Sequence, residues 1–253
     1  MERSVLVTGG SKRIGAAISE ELARGGWRVA IHYHQNADEA EECAALIGGG
    51  AVIIQADLAD PAAAEALPSQ AAAALGAPLD AVVNNASVFD FNKALTFTID
   101  DWRRDETVNL LSPILIARAF AKALPKDRIG AVVNLLDQKI WNLNADFFSY
   151  TMSKIGLEGA TRLLAKALAP AVRVNGVAPG ITLPSGKQTE ADFKAVAAKY
   201  NLMKREIDVG DVARAVAFLL DNSAVTGQTL IVDNGQHMVA SDKDVMFTTR
   251  GFE

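Results

Sequence analysis

Short apolar runs rich in β-branched residues alternate with longer segments of helical period along the whole chain. The runs are SVLVTG (4–9), RVAIHY (28–33), AVIIQ (51–55), LDAVVN (79–84), GAVVNLL (130–136), VRVNGV (172–177) and QTLIVD (228–233). Several are apolar on both faces, which suits parallel strands covered from two sides rather than half-exposed antiparallel ones. The intervening patterns predict helices over roughly 14–25, 37–47, 61–75, 100–124, 149–169, 189–200 and 209–221. This alternation predicts an α/β fold: a doubly wound, mostly parallel seven-stranded sheet with helices on both faces. No composition shift marks a linker and no short repeat is visible, so residues 1–253 read as one domain. The alanine-rich segment 62–77 is expected to form a broken surface helix, because Pro68 lacks the N–H that a helix interior uses.

Composition narrows the function classes. With 253 residues, half of them hydrophobic, the chain can bury a substantial core. A formal net charge of −5 argues against binding to nucleic acid or to an acidic membrane surface. The single cysteine, Cys43, cannot form an internal disulfide. No apolar run reaches membrane-spanning length, and the first apolar run is too short for a signal peptide. A soluble, cytoplasmic protein is expected, without a metal site.

The first chemical signal is TGGSKRIG (8–15), between the first strand and the first helix. Small residues there let backbone N–H groups and the helix N-terminus approach a pyrophosphate. The loop resembles that of the short-chain dehydrogenase/reductase family, with Arg13 in place of the middle glycine. That resemblance implies a Rossmann fold and a nicotinamide cofactor touching Gly9, Ser11, Lys12, Arg13, Ile14 and Gly15. An enzyme that prefers NAD usually carries an acid after the second strand for the ribose 2′-hydroxyl. The stretch IHYHQN (31–36) has none, and Asp38 and Glu39 come too late. With Lys12, Arg13, His32 and His34 nearby, a 2′-phosphate is better tolerated, so NADPH is expected, with His34, Gln35 and Asn36 beside it. The family also places cofactor contacts at Asp57 and Leu58, at Asn85, Ala86 and Ser87, and at Pro179, Gly180 and Thr182.

Tyr150 and Lys154 lie four apart, on one face of a predicted helix. A phenol is a weak proton donor–acceptor at neutral pH unless a cation favours its phenolate, and the lysine supplies one. The pair resembles the family's active-site motif, which also uses the lysine to hold the nicotinamide ribose. Asn109 sits in TVNLLSP, four residues before Pro113, so its main-chain carbonyl is expected to lose its helical partner. The family uses an asparagine here to hold a water.

Asp137, thirteen residues before Tyr150, stands where most family members have a serine. A carboxylate facing a substrate carbonyl leaves two acceptors without a proton, whereas it suits a substrate that offers N–H groups. Here the resemblance narrows to the pteridine reductases: Arg13 in the glycine loop, Ser87 and Phe89 in NNASVF, the proline of NLLSP, and the spacing of Asp137, Tyr150 and Lys154. Gln35 and Asn36 depart from the arginine and serine common in that group. The resemblance implies reduction of a pterin C=N bond, with Tyr150 delivering a proton, Lys154 lowering the tyrosine's pKa and Asp137 assisting. It further implies Phe89 stacking on the pterin, with Arg13 and Ser87 also on the substrate. Segment 183–205 is expected to cover the substrate. The family resemblance implies a homotetramer, with the tail 242–253, and Arg250 in particular, lining a neighbouring subunit's site. Two alternatives remain open at this point: a carbonyl or 3-oxoacyl reductase, and a cofactor-sensing regulator without turnover.

Overall fold

A computed structural model describes residues 2–184 and 188–248. Seven strands form one all-parallel sheet in the order β3-β2-β1-β4-β5-β6-β7. They are β1 (Arg3–Val7), β2 (Trp27–Tyr33), β3 (Val52–Gln55), β4 (Ala81–Asn84), β5 (Gly130–Leu135), β6 (Val172–Pro179) and β7 (Thr229–Val232). The helices are α1 (Arg13–Arg24), α2 (Ala37–Ile47), α3 (Pro61–Leu75), α4 (Ile99–Glu106), α5 (Ser112–Ala123), α6 (Phe148–Leu168), α7 (Glu190–Ala197) and α8 (Val209–Asp221). None of the described helices is long and apolar enough to cross a membrane.

The two-sided apolar runs have a direct structural reason. Along β1, Val5 and Val7 pack with Ile18 and Leu22 of α1 and with Val212, Val216 and Leu219 of α8. Leu6 faces the opposite layer, with Leu67 of α3 and Ile116 and Phe120 of α5. Alternate apolar side chains of the central strands therefore feed two cores, and the polar residues among them, such as Asn84 and Asn134, are buried, with Asn84 Nδ2 donating to Asn134 Oδ1 at 2.8 Å.

Two expectations need correction. Helix α3 runs unbroken through Pro68 and is not a surface element, since Ala64, Leu67, Pro68, Ala71 and Leu75 are all buried. Proline removes one backbone bond, but its ring is apolar and falls on the face that α3 presses into the core; burial of that face offsets the loss. The long helix expected over 100–124 is not uniform either. It widens into a π-helical turn at Thr107–Leu111, where the Ser112 N–H bonds to the Thr107 carbonyl.

In this strand order the direction of winding reverses between β1 and β4. Loops leaving the carboxyl ends of those two strands diverge to opposite faces and leave a crevice, the usual ligand position in open α/β sheets.

Candidate active site

A cleft of about 680 Å³ opens at that crevice. Its floor is the glycine loop, in which Gly9 and Arg13 take left-handed backbone (φ +57° and +56°). A Cβ on Gly15 would lie 1.9 Å from the Gly9 carbonyl oxygen and 2.6 Å from Asn85 Nδ2, so the first turn of α1 tolerates only glycine there. Asn85 Nδ2 donates to the carbonyls of Thr8 and Gly9, each at 3.0 Å, clasping the loops after β1 and β4 together. Thr8 Oγ1 accepts from Asn85 N and Ala86 N at 2.9 and 3.0 Å. The N-cap of α1, Lys12, makes no side-chain cap bond, and the start of this helix faces the cleft, as an anion-binding helix N-terminus requires.

His32 is not free to meet a cofactor phosphate, contrary to the sequence expectation. It is buried, Nδ1 accepts from Gly9 N at 3.0 Å, and Nε2 lies 3.1 Å from the Ala56 carbonyl. This pairing requires a neutral ring protonated on Nε2, and burial pushes its pKa down to about 4. His34, Gln35 and Asn36 do line the cleft. Glu39 lines it too, turning back from the first turn of α2 to within 3.7 Å of Lys12 Nζ. Arg13 lines the cleft and donates to the Pro184 carbonyl at 2.8 Å, bridging to the segment that follows β6.

On the other wall, Tyr150 and Lys154 project from α6, and Asp137 follows the end of β5. Tyr150 OH donates to Asp137 Oδ2 at 2.8 Å, and Asp137 Oδ1 accepts from Lys139 N at 2.8 Å. Lys154 Nζ donates to the Leu135 carbonyl at 2.8 Å. Burial pushes the Tyr150 phenol well above its ordinary range, and the adjacent Asp137 charge adds to this. Burial and the Asp137 charge thus act on the phenol against the lowering by Lys154 that the family resemblance implies. Burial also raises Asp137, chiefly because a desolvated carboxylate is disfavoured. Lys154 falls to about 8 through burial, opposed in part by the Asp137 charge.

Behind these groups, Asn109 is fully buried in the π turn and does not line the cleft. Its side chain accepts from Val88 N (2.9 Å) and Ser87 Oγ (3.0 Å), and donates to the Val88 carbonyl (3.0 Å) and Ser153 Oγ (3.1 Å). It thus ties the loop after β4 to the helix carrying Tyr150. Phe89 lines the cleft, stacked on Phe147 at 3.9 Å and edge-on to Tyr150 at 4.6 Å.

The structure brings most of the remaining expected residues to the same cleft: Ser11, Ile14, Ala86, Ser87, Pro179, Gly180 and Thr182 all line it. Asp57 and Leu58 do not. Asp57 Oδ1 accepts from Ala59 N at 2.9 Å, and the buried Leu58 offers its carbonyl to Ser112 Oγ at 2.7 Å. Sequence reasoning missed Lys139, Asn142, Asn144, Gln236, Ser241, Asp244 and Val245, which close the end beyond Tyr150. No spacing rule joins residues a hundred positions apart, so no local signal could have found this group. The tail from 242 runs, through Val245–Thr248, against this chain's own cleft; Arg250 lies outside the described residues.

A family model described as enoyl-(acyl carrier protein) reductase matches residues 9–237. The crystal structure of FolM alternative dihydrofolate reductase 1 from Brucella canis, complexed with NADP, is 42% identical with a TM-score of 0.89, over 96% of each chain. Among curated proteins, the uncharacterized oxidoreductase YmfI of Bacillus subtilis is 34% identical over 94% of this chain and 100% of its own. The 3-oxoacyl-[acyl-carrier-protein] reductase FabG of Staphylococcus epidermidis is 30% identical over 94% of this chain and 100% of its own. A glycine-floored cleft at the β1/β4 crevice, a tyrosine–lysine pair on its wall and similarity along nearly the whole length have one explanation: the chain is an oxidoreductase of the short-chain dehydrogenase/reductase family.

Proposed function

We propose that this protein uses NADPH to reduce a C=N bond of a pterin or dihydropterin. The observation that carries the reading is the 2.8 Å hydrogen bond from Tyr150 to Asp137. A serine in that place would offer a proton to a substrate carbonyl. A carboxylate instead accepts, and matches a heterocycle edged with N–H groups. FolM of Brucella, whose fold this chain shares at 42% identity, is by its description an alternative dihydrofolate reductase, bound there to NADP.

The cleft suits the cofactor on its own geometry. Its glycine floor, where a Cβ at Gly15 would fill the space taken by Gly9, allows a pyrophosphate to approach the start of α1. Lys12 and Arg13 supply positive charge on that side, with His34, Gln35 and Asn36 next to them. When bound, NADPH supplies the hydride. Tyr150, held protonated by burial, delivers a proton to the substrate nitrogen beside the carbon that is reduced. Asp137, with its carboxyl pushed upward, orients the tyrosine and holds the N–H edge of the substrate. Lys154, protonated at neutral pH, stabilises negative charge left on the phenol oxygen and would hold the nicotinamide ribose. Phe89, with Arg13 and Ser87, would flank the substrate ring, and segment 183–205, of which residues 185–187 lie outside the described residues, would cover it. Asn109 would act indirectly, by fixing the loop that carries Ser87.

The test follows NADPH oxidation with dihydrobiopterin, dihydromonapterin and dihydrofolate, beside a 3-oxoacyl ester and simple ketones. Turnover of pterins that falls by about two orders of magnitude or more in both Tyr150→Phe and Asp137→Ser is the expected result. Turnover of the 3-oxoacyl ester, undiminished in Asp137→Ser, would instead support the second reading, which the 30% identity to FabG favours.

A further inference from the structure

Beyond Tyr150 the cleft ends in two opposite charges that the proposed chemistry does not use. Lys139 has a side chain only 3% exposed, yet it lines the cleft. Its ammonium donates to Asn144 Oδ1 at 2.6 Å and to Asp244 Oδ2 at 3.0 Å. Asp244 arrives from the far end of the chain and is held in place twice: its N–H donates to Asp146 Oδ2 at 2.8 Å, and its Oδ1 accepts from Met246 N at 3.2 Å.

A buried ammonium without a counter-ion would be a strong site for any carboxylate entering the cleft. Asp244 removes that opportunity by taking the cation itself. An anionic substituent placed here would meet Asp244, which already holds the Lys139 cation, while Asp146 behind it is itself paired with Lys93 at 3.6 Å, in surroundings that screen charge poorly. We propose that Asp244 is a specificity-determining residue: by occupying Lys139 it makes the substrate end of the cleft select neutral substituents and reject carboxylates. The inference takes from the proposed function only that substrate binds beside Tyr150.

Two fluorescent ligands that differ in side-chain charge, 6-hydroxymethylpterin and 6-carboxypterin, provide the test through their dissociation constants in the presence of NADP+. Wild-type protein is expected to favour the neutral ligand. Asp244→Asn is expected to shift the ratio toward the carboxylate by roughly tenfold or more, because Lys139 is then free to pair with it. The double variant Lys139→Met/Asp244→Asn should cancel that shift, and Lys139→Met alone should move the ratio the other way, which preserves a readout if Asp244→Asn does not fold. An unchanged ratio in Asp244→Asn, or an equal shift in the double variant, would overturn the proposal. If neither pterin binds to any form, the substrate reading fails instead. The charge rule is then decided by NADPH oxidation with acetoacetate against ethyl acetoacetate in the same variants.

Discussion

His32 shows how one side chain can fix a cofactor loop without touching a ligand. It couples the glycine loop to the end of β3 through two hydrogen bonds that only a neutral imidazole can make. The folded-state pKa of about 4 lies below the ordinary 6.5, so the unfolded chain binds more protons between those values. Stability from this group is fully present above about pH 6.5 and is lost as the pH falls toward about 4. Between pH 7 and pH 5 the loss amounts to about 2 kcal/mol. Urea denaturation at the two pH values checks this. His32→Asn, which retains an acceptor for Gly9 but does not titrate, should be less stable at pH 7 and lose less on acidification. Equal losses in both proteins would place the acid sensitivity elsewhere. At this scale the sequence marked candidate residues by type and spacing but not their electrostatics. The pairing of Tyr150 with Lys154 was legible as a spacing, whereas the upward push on the phenol depends on burial and on Asp137 arriving from another element.

At the scale of elements, α6 begins unusually. Its N-cap position, Phe147, is in left-handed backbone and supplies no capping side chain. Asn92, from the segment after β4, takes over: its carbonyl accepts from Phe148 N at 3.2 Å and its Oδ1 from Ser149 N at 3.1 Å. Its Nδ2 donates to Ser149 Oγ at 2.6 Å, and that hydroxyl donates onward to the buried Asp105 carboxylate. Helix amides left unsatisfied within the protein are costly, so Asn92→Ala is expected to destabilise by about 1–2 kcal/mol. Because Tyr150 follows Ser149 directly, kcat should fall more than KM rises. A melting curve and steady-state kinetics together check this; unchanged values in both would remove Asn92 from any positioning role. No reading of local sequence finds such a cap, since capping rules look at the residue before a helix and not at one over fifty positions earlier. The unbroken α3 teaches a related point. Pro68 is a breaker by local rules, and the buried face of Leu67, Ala71 and Leu75 overrides it.

For the whole molecule, α6 leaves Met152, Ile155 and Leu163 exposed along one face at helical spacing. An apolar stripe on a helix otherwise packed into its own domain is what a self-associating surface requires. The homotetramer proposed from family resemblance therefore predicts a solution mass near four times 26.8 kDa by light scattering. Ile155→Glu should reduce that mass without unfolding the chain, since the residue lies on the exposed face of α6. A wild-type monomer would contradict the proposal.

The sequence by itself determined the fold class, the strand and helix order, and the glycine, tyrosine, lysine and aspartate positions. Hydrophobic period and backbone constraints are local properties, and a parallel sheet built from two-sided apolar runs admits few alternatives. Tertiary structure alone decided what faces the cleft and with what charge. Glu39 turned into it, His32 was buried at its wall and tied to the glycine loop, Asp57 and Leu58 stayed out of it, and Lys139 met Asp244 at its far end. Those outcomes rest on distances and desolvation between residues far apart in the chain. Such quantities exist only once the chain has folded.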